Sequence, residues 1–128
     1  MVTKIPDMAG AARAFIFLLE ARDWDAFAAL LHPEVVYELP QTRERIRGRD
    51  AYLRFNQEFP GDWHLDPTTV VADADHGVVR FDCRVEDESA EAIAFLDFDA
   101  EGCITRVTDF WPESYAPPAG REQLVERW

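Results

Sequence analysis

Positive charge is scarce in this chain. Over 128 residues, 13 Lys and Arg stand against 25 Asp and Glu, a formal net charge of −12. Such a balance repels phosphate backbones and anionic lipid headgroups, so neither nucleic acid nor a membrane is an expected partner. Long apolar runs are missing too. The longest near the start, Ala14 to Leu19, is far shorter than a bilayer span and carries neither a basic leader nor a small-residue cleavage site, so export and anchoring are not expected. Cysteine is limited to Cys83 and Cys103, without CxxC or Cys/His ligand spacing. Both read as small core residues, and a reducing cytoplasm is the expected compartment. His32, His64 and His76 lie far apart, with no HxxxH or HxH pair. His64 with Asp66 comes nearest to a ligand pair, and no metal is expected. A Gly-rich phosphate loop, a GxSxG elbow and a flavin motif are all absent, so no cofactor and no triad hydrolase is expected.

What is present is the composition of one globular domain, with 48% hydrophobic and 30% charged residues. From Asp7 onward, Met8, Ala12, Phe15 and Leu19 recur at helical spacing, with Ile16 and Leu18 widening the stripe. Asp23 reads as an N-cap for a second helix, in which Trp24, Phe27, Ala28 and Leu31 share a face until His32-Pro33. Val35 to Leu39 is a strand closed by Pro40. Gln41 to Gly48 reads as a polar connection, followed by a third helix with Tyr52, Phe55 and Phe59 as its stripe and Pro60-Gly61 as its stop. Four strands follow, Trp63 to Ala72, Val78 to Val85, Ala92 to Phe98 and Ile104 to Trp111, with connections short enough for an antiparallel meander. In the second of these, Val79, Phe81, Cys83 and Val85 alternate with Arg80, Asp82 and Arg84, so one face is apolar.

Three N-terminal helices before a mostly antiparallel sheet make an α+β pattern in which the helices cover one face of a strongly curved sheet. Such a cone encloses a pocket. The run Glu20-Ala21-Arg22-Asp23-Trp24-Asp25 before Leu30-Leu31, the helix entry Arg47-Gly48-Arg49-Asp50, and Phe98-Asp99 with Gly102 and Ile104 before Thr108-Asp109-Phe110-Trp111 resemble landmarks of NTF2-like proteins. The nearest branch is the SnoaL-like polyketide cyclase group. The resemblance covers residues 1–111 and implies an NTF2-like cone, with residues 112–128 as an extension. It implies a small apolar or polycyclic molecule as partner. It does not choose among cyclase, isomerase, dehydratase, epoxide hydrolase and binding module.

Asp109 is the most informative residue. Cys103, Thr105, Val107, Asp109 and Trp111 alternate against Ile104, Arg106, Thr108 and Phe110, so if Val107 and Trp111 face the cone, so does Asp109. A carboxyl group between apolar neighbours is desolvated, which raises its pKa and suits it to acid/base work near neutrality. The resemblance implies the same role, because cyclases and epoxide hydrolases of this superfamily place an acid at the matching position. A buried aspartate satisfied by nearby donors is the structural alternative. Tyr37 alternates with Val35 and Leu39, and Asn56 sits four residues after Tyr52. Both can reach the cavity and orient a substrate oxygen, or can serve packing and solvation alone. Phe15, Leu39, Trp63, Phe81, Phe98, Val107 and Trp111 are expected to line the wall.

Arg43, Arg45, Arg47 and Arg49 would share one side if extended, and could steer an anion or pair with the chain's own acids. Where ketosteroid isomerases have a tyrosine on the first helix, a base ending the first strand and a second acid on a central strand, this chain has Phe15, Leu39 and Ala94. Arg84-Val85-Glu86 resembles the arginine and acid pair of limonene-epoxide-type hydrolases, but its alternation puts Arg84 and Glu86 on the face away from the cone. Two classes remain open, an acid/base enzyme and a non-catalytic ligand-binding or dimerisation module. Ile93, Phe95 and Phe110 form an apolar patch on the outer sheet face, which predicts a homodimer. The extension, with Pro112, Pro117, Pro118, Tyr115 and Trp128, is expected to dock on the body or on the second subunit.

Overall fold

The computed structural model describes residues 8–128, so the expected helix start at Asp7 lies outside the described residues. The order is α1 (Met8–Ala21), α2 (Trp24–Ala29), β1 (Leu31–Leu39), β2 (Glu44–Arg47), α3 (Arg49–Glu58), β3 (Trp63–Ala72), β4 (His76–Val85), β5 (Glu88–Phe98) and β6 (Ile104–Phe110). The six strands form one sheet in the order β2-β1-β6-β5-β4-β3. β3 to β6 are an antiparallel meander, β1 joins β6 in parallel, and β2 folds back antiparallel on β1. The architecture is α+β, as the element order implies. No described helix is long and apolar enough to cross a membrane.

α1 buries Met8, Ala12, Phe15, Ile16 and Leu19, the stripe expected from its 3.6-residue period. Asp23 caps α2 by accepting the Ala26 N–H at 3.3 Å. The second helix stops earlier than its periodicity suggests, and Leu31 belongs to β1. The cause is non-local: Leu31 lies opposite Ile104, and the Ile104 N–H donates to the Leu30 carbonyl at 2.8 Å. This pairing fixes Leu31 as strand and displaces the irregular His32-Pro33 step into the break in register between Leu31 and Val36.

β2 is the one strand the sequence does not announce. It carries Glu44, Arg45, Ile46 and Arg47 and lies at the sheet edge, where charge is tolerated and discourages further pairing. Arg43 adopts a left-handed backbone in the preceding turn, and Arg49 begins α3. The four arginines therefore do not form one extended patch. Arg45 donates twice to Glu38, at 2.8 and 3.1 Å.

The sheet's two ends pack differently. At the start of β1, β4 and β6 and the end of β5, the residues Leu31, Val35, Val79, Leu96, Ile104 and Val107 are fully buried against Ala12, Ile16 and Phe27. Phe98 belongs to this packed end. A Cβ on Gly77 would lie 3.2 Å from the Phe98 ring, so glycine lets β4 pass closely beneath it and any side chain there would push the ring aside by a few tenths of an ångström. Each fully buried Leu, Ile or Phe side chain contributes about 1.5–3 kcal/mol. Beyond Phe110 the chain has no helix or strand, and Tyr115, Leu124 and Trp128 stand in solvent, Tyr115 with 87% of its surface exposed. In the single chain these side chains do not pack on their own body.

Candidate functional site

At the other end of the sheet the walls diverge and leave a cavity of about 680 Å³. Its floor is made of buried side chains, Phe15 from α1, Tyr37 from β1, Tyr52 from α3, Trp63 from β3, Phe81 from β4 and Asp109 from β6. Exposed residues, among them Gln41, Thr42, Phe59, Glu88, Ser89 and Glu113, form the rim. The Gln41 side chain accepts the Trp111 N–H, which fastens the β1–β2 turn to the end of β6.

Asp109 is the focus of this floor. It is 8% exposed, and it is the buried charged residue among the described residues. Tyr37 lies opposite Val107 in the parallel β1–β6 ladder, so Asp109 is two residues further along the same face, within diagonal reach. The Tyr37 hydroxyl donates to Asp109 Oδ2 at 2.6 Å. Oδ1 is buried and has no protein hydrogen-bond partner. Burial pushes the Asp109 carboxyl up from its ordinary 3.8 to about 7, against the opposing effect of the Tyr37 hydrogen bond. Tyr37 is itself driven far above its ordinary value, first by burial and then by the neighbouring Asp109 charge. It therefore stays protonated and serves as a permanent donor to Oδ2.

Tyr52 was not singled out by the sequence as a site residue, yet it completes the constellation. Its ring stacks on Tyr37 at 4.6 Å between centroids, and it is buried in the cavity lining. Burial and the Asp109 charge raise its pKa, and a hydrogen bond from Asn56 pulls the other way. Its signal in the sequence was a hydroxyl on an otherwise apolar helix stripe. Asn56 also lines the cavity, but its Nδ2 donates to the Tyr52 carbonyl at 2.9 Å and not to Asp109 or Tyr37. The structure thus brings Asp109 and Tyr37 into direct contact and leaves Asn56 beside them on α3.

Of the expected wall, Phe15, Leu39, Trp63, Phe81 and Trp111 line the cavity, and Phe81 meets Trp111 edge to face at 5.8 Å. Phe98 and Val107 do not line it. Both face the cone but sit toward the packed end, Phe98 over Gly77 and Val107 with no exposed surface. Leu65, Cys83 and Val85 line the cavity instead, on the face that the β4 alternation marks as apolar. Cys83 is buried as expected, whereas Cys103 is only partly buried in the β5–β6 turn. Phe15 and Leu39 leave two wall positions apolar, and Ala94 lies opposite Asp109 on β5 with no exposed surface. Arg84 is on the outer face, and Glu86 occupies the β4–β5 turn, where it accepts the Asp62 N–H at 3.1 Å.

Among the described residues, no three or more His, Cys, Asp and Glu side chains are arranged to hold a metal ion. His64 pairs not with Asp66 but with Glu20 through Nδ1 at 2.9 Å and with Asp62 through Nε2 at 3.0 Å. Those hydrogen bonds raise its pKa, that to Glu20 most. The other Glu20 oxygen accepts the Leu65 N–H at 2.8 Å. Arg22 donates to the Trp63 carbonyl and lays its guanidinium 3.3 Å from the centre of the Trp63 ring. Together these contacts tie the end of α1 to the start of β3 and hold Trp63 in the wall.

The SnoaL-like domain family matches residues 12–107. A candidate ketosteroid isomerase from Kribbella flavida is 50% identical over 94% of this chain and 89% of its own, with a TM-score of 0.88. A candidate SnoaL-like polyketide cyclase from Shewanella putrefaciens is 11% identical, covering 84% of this chain and 91% of its own at a TM-score of 0.71. An epoxide hydrolase from M. tuberculosis is 21% identical over 82% of each chain, with a TM-score of 0.67. The last two share the fold. No curated protein matches in sequence.

Proposed function

This chain belongs to the SnoaL-like domain family, and from that premise we propose that it is a cofactor-independent acid/base enzyme acting on a mostly apolar, oxygen-bearing small molecule. The carrying observation is Asp109: a carboxyl held near neutrality at the floor of an aromatic cavity, with Oδ2 fixed by Tyr37 and Oδ1 free. A group with a pKa near the working pH is populated in both protonation states, the condition for taking a proton and returning it within one turnover. Oδ1 is the proton-moving atom. Tyr37 spends its only hydrogen on Oδ2 and so positions the carboxyl, while the amide oxygen of Asn56 can accept from a substrate hydroxyl. The apolar wall supplies affinity at about 25 cal/mol per Å² buried. Proton transfer next to a ketone, as the name of the Kribbella relative suggests, would here rest on the buried acid Asp109, because Leu39 and Ala94 cannot ionise.

The test is Asp109→Asn assayed against a panel of polycyclic ketones and alcohols. In an enzyme, turnover collapses while binding survives. If the native chain turns over no member of the panel and binding is unchanged in the variant, the chain is a ligand-binding module; if turnover is present and unchanged, Asp109 is not catalytic.

The outer sheet face supports a homodimer. Ile93 lies opposite Phe110, and Phe95 meets Phe110 edge to face at 5.7 Å, with Phe95 43% exposed. The exposed Tyr115 and Trp128 of the extension would then find their apolar cover on the second subunit. Sedimentation as a monomer at micromolar concentration would rule this out.

A further inference from the structure

The cavity that this reading assigns to substrate is one-sided in charge. Its lining includes the carboxyl groups of Asp109, Glu88 and Glu113 and no lysine, arginine or histidine among the described residues. Arg22 lies on the Trp63 ring but does not line the cavity. Its guanidinium is engaged by the carbonyls of Leu19, Glu20 and Trp63 and lies 3.6 Å from the Glu20 carboxylate. The chain as a whole carries −12, which reinforces the sign of the field inside the cavity. Faces and edges of Phe15, Tyr37, Tyr52, Trp63, Phe81 and Trp111 make up much of the remaining surface. Aromatic faces attract cations, most strongly where water is excluded.

A second observation comes from the floor. Asp109 is more than nine-tenths buried and Oδ1 has no hydrogen-bond partner in the protein. A buried acceptor left unmatched costs about 1–3 kcal/mol, which a ligand donor placed on it would recover. The groups that face Asp109, Tyr37 and Tyr52, are neutral phenols and supply no countercharge.

We propose that the oxygen-bearing molecule taken by this cavity also carries an amine, bound as its ammonium with an N–H directed at Asp109 Oδ1 and its hydrocarbon body against the aromatic wall. This rests on the small-molecule reading of the cavity and narrows it. An ammonium satisfies both demands at once, a donor for Oδ1 and a countercharge for a carboxylate that has none. A hydroxyl supplies only the donor, and a carboxylate-bearing ligand would bring a fourth negative group among three.

Three fluorescent probes with one hydrocarbon body separate these cases: naphthylmethylamine, naphthylmethanol and naphthoate, each titrated into the full chain at low and at high salt. The amine is expected to bind about tenfold or more tighter than the alcohol, and naphthoate weakest, with the amine's advantage shrinking as salt is added. Lowering the pH from about 8 to about 5 protonates Asp109 and should weaken the amine while leaving the alcohol unchanged. In Asp109→Asn the amine's advantage over the alcohol should disappear, with circular dichroism confirming that the variant is folded. Alcohol binding as tightly as amine to the native chain overturns the inference and leaves the small-molecule reading standing. Binding of none of the three overturns both.

Discussion

The packed end and the open end of the cone are made from the same strands, and their difference lies in which side chains meet. On β4, Val79 is sealed against α1, while two and four residues later Phe81 and Cys83 face the cavity. On β6, Ile104 and Val107 have no exposed surface, and Asp109, one inward position further on, holds a carboxyl with a free oxygen. Stability is concentrated where the walls converge. Chemistry is placed where they part, because only there can an unmatched polar atom be held without being filled over by neighbours.

The sharpest way to break this comparison is Asp109→Asn. Removing the titrating proton should cut turnover by about 10²–10⁴-fold, the usual contribution of general acid/base catalysis, as read by steady-state kinetics on the best substrate of the panel. A comparable loss from a packed-end substitution that leaves the protein folded would mean that the division is wrong. Leu96→Ala probes the opposite end. It should cost about 2–5 kcal/mol in urea unfolding, since no open volume lies beside Leu96 for the structure to relax into without a cavity.

The open end should also respond to loss of charge. The folded-state pKa of Asp109 is raised, so the folded protein retains its proton between pH 3.8 and about 7 while the unfolded chain has lost it. This group therefore costs no stability below 3.8, and its cost grows through that window until it is complete above about 7. Asp109→Asn should accordingly raise the unfolding free energy by up to about 4 kcal/mol at about pH 8, with the gain vanishing near pH 4, measured by denaturant titration at each pH. The substitution that destroys activity is thus expected to stabilise the fold. Trp111→Ala should do little to stability, about 1 kcal/mol, because Trp111 is half-buried on the open side, and it should weaken binding of any cavity ligand.

What the sequence made legible follows from this geometry. Period-two alternation reports which face a residue takes, and from Val107 to Trp111 it held, which is why Asp109 could be placed in the cone. It does not report depth along the strand. Phe98 and Val107 face inward with the same phase as the wall residues, but they lie toward the converging end and line nothing. Alternation also fails across a bulge. The break in the β5–β6 register between Asp97 and Phe98 lets Ile104 and Val107 share the inner face although their spacing is odd. Leu31 looked helical because its partner, Ile104, is more than seventy residues away, and local periodicity carries no such information. β2 was silent because its polar residues have no apolar phase to read.

The most direct test of the central claim is the titration of the Asp109 side-chain carboxyl, followed by carbon NMR in the native chain and assigned with Asp109→Asn. A midpoint near 7, moving further upward in Tyr37→Phe as the Oδ2 hydrogen bond is lost, is the result the account predicts. A midpoint near the ordinary 3.8 would show that Asp109 is solvated and fully ionised at neutrality, and would contradict both the desolvated floor and the proton-moving role built on it.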